Sequence, residues 1–285
     1  MRIQHYFQPS TSTLTYLVYD EKTKDAVLID STLDYDEKSS SLSHASAEIM
    51  LTDIKNLGLH VHYLLETHAH ADHLTGIEYM KEHLPNAKTA IHEDIRAVQN
   101  VFRDLFQLEK NDDGSDFDVL LKDGQELEVG PLKIKVLHTP GHTPACVSYL
   151  INEEAVFTGD LIFAPDYGTG RCDFPKGSAK KMYDSITQKI YTLGDDVKVY
   201  PGHDYSPNNR VLWVQSTVGQ QKRLNPWLNA ETSEADFVKK REARDSGLPA
   251  PKLLLQSVQF NAWAGKMPEN GKDGASFLKL PLRKK

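Results

Sequence analysis

The chain has 285 residues, 39% hydrophobic and 26% charged, with a net charge of -7 and two cysteines, Cys146 and Cys172. That length can bury a large core, as one domain or as one domain with an appendage. The acidic balance argues against nonspecific nucleic-acid binding, which needs a basic surface, so the expected partner is a small molecule. No apolar run approaches the roughly 20 residues of a membrane helix, and Met1-Arg2-Ile3-Gln4-His5 leads into no apolar signal core. Two distant cysteines without C-x-x-C spacing fit a reducing compartment. The expected location is cytoplasmic or, in a eukaryote, an organelle reached with loss of a targeting segment.

Ile3 to Phe7, Leu14 to Tyr19 and Ala26 to Asp30 read as an antiparallel start to a sheet, separated by turn-formers. Ser31 to Ser46 is rich in Ser and Asp and is expected to be a loop. Ala47, Met50, Leu51, Ile54 and Leu57 repeat at helical spacing until Gly58. Val61 to Glu66 reads as a strand and Gly76 to His83 as a helix, followed by a strand at Thr89 to Ile91 and a helix from His92 to Phe106. Asn111 to Asp118 is acidic and loop-like. Strands follow at Leu127 to Val129, Lys133 to Leu137, Val147 to Ile151 and Ala155 to Thr158, then a helix over Lys180 to Leu193 and a last strand at Val197 to Tyr200. This alternation without repeats predicts an α/β fold with helices layered on sheet. Beyond Ser206 the pattern turns helical, with one segment through Val211, Val214, Val218 and Leu224, one over Phe237 to Arg244 and one over Leu253 to Trp263. The basic end, Leu278 to Lys285, is expected to be frayed or strand-like.

One stretch carries the chemistry. Glu66-Thr67-His68-Ala69-His70-Ala71-Asp72-His73-Leu74-Thr75-Gly76 crowds three histidines and an aspartate onto a turn between a strand end and a helix start. Imidazole nitrogens and carboxylate oxygens held together make a site for zinc, iron or manganese; the plainer alternative is a His-rich surface turn. Three later turns also follow a strand end with a ligand type: Pro140-Gly141-His142-Thr143, Thr158-Gly159-Asp160 and Pro201-Gly202-His203-Asp204. Each alone is ordinary loop chemistry. Together they predict loops that meet at one sheet edge.

His68-x-His70-x-Asp72-His73, Gly141-His142-Thr143, Thr158-Gly159-Asp160 and Gly202-His203 resemble the metal motifs of the metallo-β-lactamase superfamily, over residues from about 60 to 205. Within it, the 66–76 stretch, Gly170-Arg171-Cys172-Asp173-Phe174 and Pro201-Gly202-His203-Asp204-Tyr205 resemble the persulfide dioxygenases related to glyoxalase II. The resemblance implies an αββα sandwich over residues 1–205, with a helical C-terminal extension, 206–285, packed on the same domain. It implies one non-haem Fe(II) per chain held by His68, His142 and Asp160, a two-histidine, one-carboxylate set that leaves coordination positions open. His70, Asp72, His73 and His203 would lie beside the iron, bonding its ligands and orienting imidazoles. The implied reaction oxidises the sulfane sulfur of glutathione persulfide with O2 and water to sulfite and glutathione, in a homodimer.

Arg171 is the expected anchor for a glutathione carboxylate, which a guanidinium binds bidentately; glyoxalase II has a basic residue at the matching place. Asp173 stands where glyoxalase II has an aromatic. Tyr205, beside His203, is expected either to turn its hydroxyl into the pocket or to pack as a buried core tyrosine. Cys172 could meet persulfide sulfur there, although cysteine more often packs as a small hydrophobe, as expected for Cys146. All seven potential ligands also suit a glyoxalase II-type thioester hydrolase with a binuclear zinc or iron site. A noncatalytic metal- or persulfide-binding module is the alternative from another class. His5, His44, His60, His62, His83, His92 and His138 match no motif.

Overall fold

The computed structural model describes residues 1–267 and 275–282. Strands β1 (Arg2–Gln8), β2 (Thr13–Tyr19) and β3 (Asp25–Ile29) form the antiparallel start that the apolar runs predict. Successive residues of β2 and β3 enter different cores: Leu14, Tyr16, Val18, Val27 and Ile29 on one side, Leu17, Ala26 and Leu28 on the other. Both faces are buried, which is why these strands read as near-continuous apolar runs.

The stretch expected as a loop instead forms a hairpin, β4 (Thr32–Asp36) and β5 (Ser41–Ser43), held by backbone pairing that needs no apolar pattern. Helix α1 (Ala45–Leu57) buries Ala47, Met50 and Ile54 and ends at Gly58, whose φ of 65° suits glycine. Strands β6 (His60–Leu65) and β7 (Leu74–Thr75) and helix α2 (Ile77–His83) frame the histidine cluster; β7 pairs with β4. Next come β8 (Lys88–His92), α3 (Ile95–Phe106) and β9 (Val119–Leu121). His92 therefore closes a strand rather than opening a helix. The first sheet has the order β1-β2-β3-β6-β8-β9 and is parallel from β3 onward.

The second sheet contains β10 (Glu126–Val129), β11 (Leu132–His138), β12 (Val147–Ile151) and β13 (Ala155–Gly159). Helix α4 (Ala179–Ser185) then runs into a π turn, Ile186–Ile190, so the predicted single helix changes its winding midway. Strands β14 (Lys198–Pro201) and β15 (Ser216–Thr217) complete the sheet in sequence order. The helix predicted through Val211 and Val214 is only α5 (Val218–Leu224). Ser216 and Thr217 instead pair with β14, Thr217 is extended and caps the helix that starts after it, and Val211 is 88% exposed. Helices α6 (Glu234–Asp245) and α7 (Leu254–Asn261) follow near their predicted places. Residues 278–282 carry no regular element, and 283–285 lie outside the described residues.

Three cores separate four layers. One lies between the first sheet and α1, α2, α3 and α7; one lies between the sheets; one lies between the second sheet and α4, α5 and α6. The result is an αββα sandwich. Parallel pairing of β3 with β6 and of β13 with β14 sends four C-terminal strand ends to one edge. Backbone bonds cross between sheets there, from Leu14 N to Gly202 O at 2.8 Å and from Val147 N to Thr67 O at 2.9 Å. Among the described residues, no helix is long and apolar enough to cross a membrane. Phe157 lies 1% exposed between the sheets, its ring 5.1 Å from Tyr16 and 4.9 Å from Tyr200. Phe157→Ala should destabilise the fold by about 3–5 kcal/mol in a denaturant titration.

Candidate metal centre

The loops after β6, β11, β13 and β14 bring His68, His142, Asp160 and His203 together at the shared edge, with His70, Asp72 and His73 on the first of them. Close backbone approach makes this possible. At Gly159, φ 49°, a Cβ would stand 2.4 Å from Thr67 Oγ1, and at Gly170 one would stand 2.0 Å from the Asp160 carbonyl oxygen.

Proton accounting identifies what the cluster needs. The carbonyl of Arg171 lies 2.7 Å from His142 Nδ1, so that nitrogen donates and Nε2 keeps its lone pair. Thr67 Oγ1 donates to Asp30 and lies 3.0 Å from His68 Nδ1, so it accepts there, and His68 Nε2 is likewise left a lone pair. Both Nε2 atoms face Asp160 Oδ2, at 4.0 Å from His68 and 3.7 Å from His142. Burial and neighbouring imidazoles push His68 well below the usual histidine range, so no proton comes to its relief. His68 Nε2 is buried without a hydrogen-bond partner among the described residues. Asp160 Oδ1 is likewise buried without a partner among the described residues, and two imidazole nitrogens and a carboxylate facing one another form a donor set that fits a metal ion.

A second group adjoins the first: His70, Asp72, His73 and His203 offer atoms within 4.8 Å of one another. His203 Nε2 lies 3.2 Å from Asp72 Oδ2 and 3.4 Å from Asp160 Oδ1. Burial opposes charge on His203, but Asp160 and Asp72 raise its pKa. Burial and the charge of His70 push His73 down to about 4. His70 differs from both. Its Nε2 lies 3.2 Å from each of Asp30 and Glu66, and these carboxylates outweigh burial and hold its pKa well above normal. Its Nδ1 is buried without a partner among the described residues. Sequence reasoning missed Asp30 and Thr13. Asp30 ends a strand just as Asp160 does, a signal that was readable; Thr13, whose Oγ1 lies 3.3 Å from His73 Nδ1 and 3.4 Å from His203 Nδ1, carries none.

A cleft of about 740 Å³ opens on this edge, with Asp72, His73, His142 and Asp160 in its lining. Arg171 and Tyr205 also line it. The Arg171 guanidinium grips Asp173 through two 2.5 Å bonds and donates to Pro249 O at 2.8 Å, so its charge is shared before any ligand arrives. The Tyr205 ring stacks on His203 with centroids 5.5 Å apart. Cys172 is not brought to the cleft: its Sγ lies 3.5 Å from Met182 Sδ inside the outer core, and burial raises its thiol pKa. A buried, protonated thiol is a poor nucleophile. Cys146 is buried as expected. His138 stacks on His92 at 3.9 Å, donates to Pro144 O at 2.9 Å, and does not line the cleft.

A family model described as the metallo-beta-lactamase superfamily matches residues 10–203. The chain belongs to that superfamily. It is 43% identical to a probable metallo-hydrolase of Burkholderia pseudomallei (strain 1710b), over 99% of each chain. It is 41% identical to Glyoxylase B2 of Dictyostelium discoideum, over 99% of this chain and 97% of that one. Identity to the mitochondrial persulfide dioxygenase ETHE1 of Homo sapiens is 32%, over 92% of this chain and 88% of that one. Among solved structures, ETHE1 from Myxococcus xanthus superposes with a TM-score of 0.75 at 33% identity, covering 93% of this chain and 100% of that one. Membership in the metallo-beta-lactamase superfamily implies metal binding, and the His/Asp groups of this edge are the donors that suit it.

His142→Ala removes one of the three converging acceptors and should abolish metal retention after purification, read by elemental analysis; full occupancy in the variant would show that His142 is not a ligand. A second expectation concerns His92, which burial and then His138 push down to about 4. Unfolded, the group titrates near 6.5, so its contribution to stability is complete above that pH and is lost as pH falls toward 4. Between pH 7 and 4 the wild type should lose on the order of 2 kcal/mol more than His92→Gln, after allowance for solvent screening.

Proposed function

We propose that this chain is a persulfide dioxygenase that oxidises the sulfane sulfur of glutathione persulfide and holds one iron(II) on His68, His142 and Asp160. The observation that carries this reading is the convergence of two imidazole Nε2 atoms and one carboxylate oxygen, with His142 and Asp160 at the cleft surface. Such a set leaves the cation open to ligands. The likeness to relatives named persulfide dioxygenase, in sequence and in fold, supports it. Iron(II) bound there supplies the redox chemistry that dioxygen needs and zinc lacks. In the net reaction the persulfide S–S bond breaks, the sulfane sulfur gives four electrons to O2 and leaves as sulfite, water supplies the third oxygen, and glutathione leaves as the thiol.

The chain's own residues divide the remaining work. His203, flanked by Asp72 and Asp160, is the group built to carry a proton at its Nε2. Tyr205 covers one side of His203, and its ring packs on Phe163 and Tyr167, which keeps water from that wall. Arg171 anchors a glutathione carboxylate with the N–H groups that Asp173 and Pro249 leave over. In this reading residues 206–285 extend the catalytic domain of residues 1–205 and supply part of the substrate wall, including Trp227, Arg244 and Lys252.

A specific observation favours a second reading. The group His70, Asp72, His73 and His203 suits a second cation, and a relative is named Glyoxylase B2, as a binuclear thioester hydrolase would be. Oxygen uptake on glutathione persulfide together with metal analysis separates the two. One iron per chain with uptake is expected; two zincs with cleavage of S-lactoylglutathione would overturn the proposal. Arg171→Ala should raise KM several-fold with kcat nearly unchanged, because anchoring is common to ground and transition states. A fall in kcat at constant KM would remove Arg171 from that role.

A further inference from the structure

The carboxamide of Asn261, the last residue of α7, directs both of its N–H donors to the histidine loop and accepts from the strand that follows it. Its Nδ2 donates to the carbonyl oxygens of His70 and His73, both at 2.7 Å, and its Oδ1 accepts from Thr75 N at 2.9 Å. The side chain is buried, and the loop it holds contains no helix or strand between His68 and His73. Two carbonyls on one side and an N–H on the other fix the amide's orientation, and no other residue type of this size offers two donors and an acceptor.

We infer that Asn261 is a positioning residue for the metal centre. The two carbonyls it grips bracket Ala71 and Asp72, so it sets the peptide planes on either side of the segment that aims Asp72 and His73 toward His203. Other bonds hold the start of the loop and its rings, through Thr67, His70 and His73, whereas the carbonyls of residues 70 and 73 are fixed by Asn261. The far end of the device is equally fixed. Gln99 donates to Ala262 O at 2.9 Å and accepts from Gly114 N at 2.9 Å. Trp263, fully buried, donates to Asn111 O at 2.8 Å. Asn261 therefore stands on a post pinned into the helical layer, and the extension near residue 261 takes part in the site without touching the donors' side-chain atoms. The inference needs a cation on His68, His142 and Asp160, which the loop reaches through Asp72, His203 and the Asp160 carboxylate, but does not depend on which reaction the loaded protein performs.

Cobalt(II) is the probe, because its visible bands report ligand number and geometry. Full-length wild type, Asn261→Ala, Asn261→Ser and Gln99→Ala are loaded with Co(II), and three quantities are read: the visible spectrum, metal retention against a chelator, and the melting temperature. Both Asn261 variants should shift the bands and lose metal about 10- to 100-fold more readily, the range for residues that orient ligands. Gln99→Ala should lower the melting temperature yet leave spectrum and retention as in wild type, since it loosens the same segment without freeing the loop. Should Asn261→Ala fail to fold, the same readouts on Asn261→Ser, which keeps one donor, decide between the outcomes. Wild-type bands and retention in a folded Asn261 variant would overturn the inference, as would equal changes in Gln99→Ala, which would reduce the effect to general loosening. Absence of Co(II) bands from wild type itself would instead overturn the metal assignment of the site.

Discussion

Everything at the site follows from two imidazoles and a carboxylate turned toward one another, His68, His142 and Asp160, with His68 Nε2 and Asp160 Oδ1 buried and without a hydrogen-bond partner among the described residues. A buried acceptor without a partner costs about 1–3 kcal/mol, and the second group adds further unpartnered atoms on His70, His73 and His203. A protein of ordinary stability, about 5–15 kcal/mol, can tolerate this only because the rest of the sandwich is well packed and because a cation removes the deficit when it binds. Metal binding and folding are therefore linked in this chain, and the three cores are what allow the loops to hold such a strained electrostatic arrangement.

Charge is distributed across the site rather than concentrated. Asp30 and Glu66 raise the pKa of His70 against its burial, while burial and then the neighbouring imidazoles lower those of His68 and His73. Asp72 keeps its charge against burial because His203 and His73 stabilise it. Within six positions the loop thus holds rings whose electrostatics differ, His70 beside two carboxylates and His68 and His73 set by burial and by neighbouring imidazoles. Arg171 shows the same economy at the cleft, where Asp173 holds the guanidinium in place while leaving N–H groups for a ligand.

Periodicity made the regular layers readable. The alternation in β2 and β3 and the repeat of Ala47, Met50 and Ile54 in α1 record which face each side chain buries. The hairpin of β4 and β5 escaped because its pairing is backbone to backbone and its side chains are polar. The helix expected through Val211 and Val214 starts only at Val218 because Ser216 and Thr217 pair with a strand remote in sequence, which spacing alone does not reveal. At the site, the donors of the 68–73 stretch, His142, Asp160 and His203 announced themselves by residue type after strand ends. Asp30 carries the same strand-end signal, whereas Thr13 and Asn261 do not, since each acts through a partner far away in the chain.

By itself, then, the order of residues determined the superfamily, the layered architecture and the identity of the converging side chains, because ligand chemistry and burial periodicity are local properties. Only the tertiary structure decided which nitrogen of each imidazole is free, that Cys172 faces Met182 instead of the cleft, and that α7 grips the histidine loop. These are questions of distance and direction between segments remote in sequence, and such relations exist only once the chain is folded.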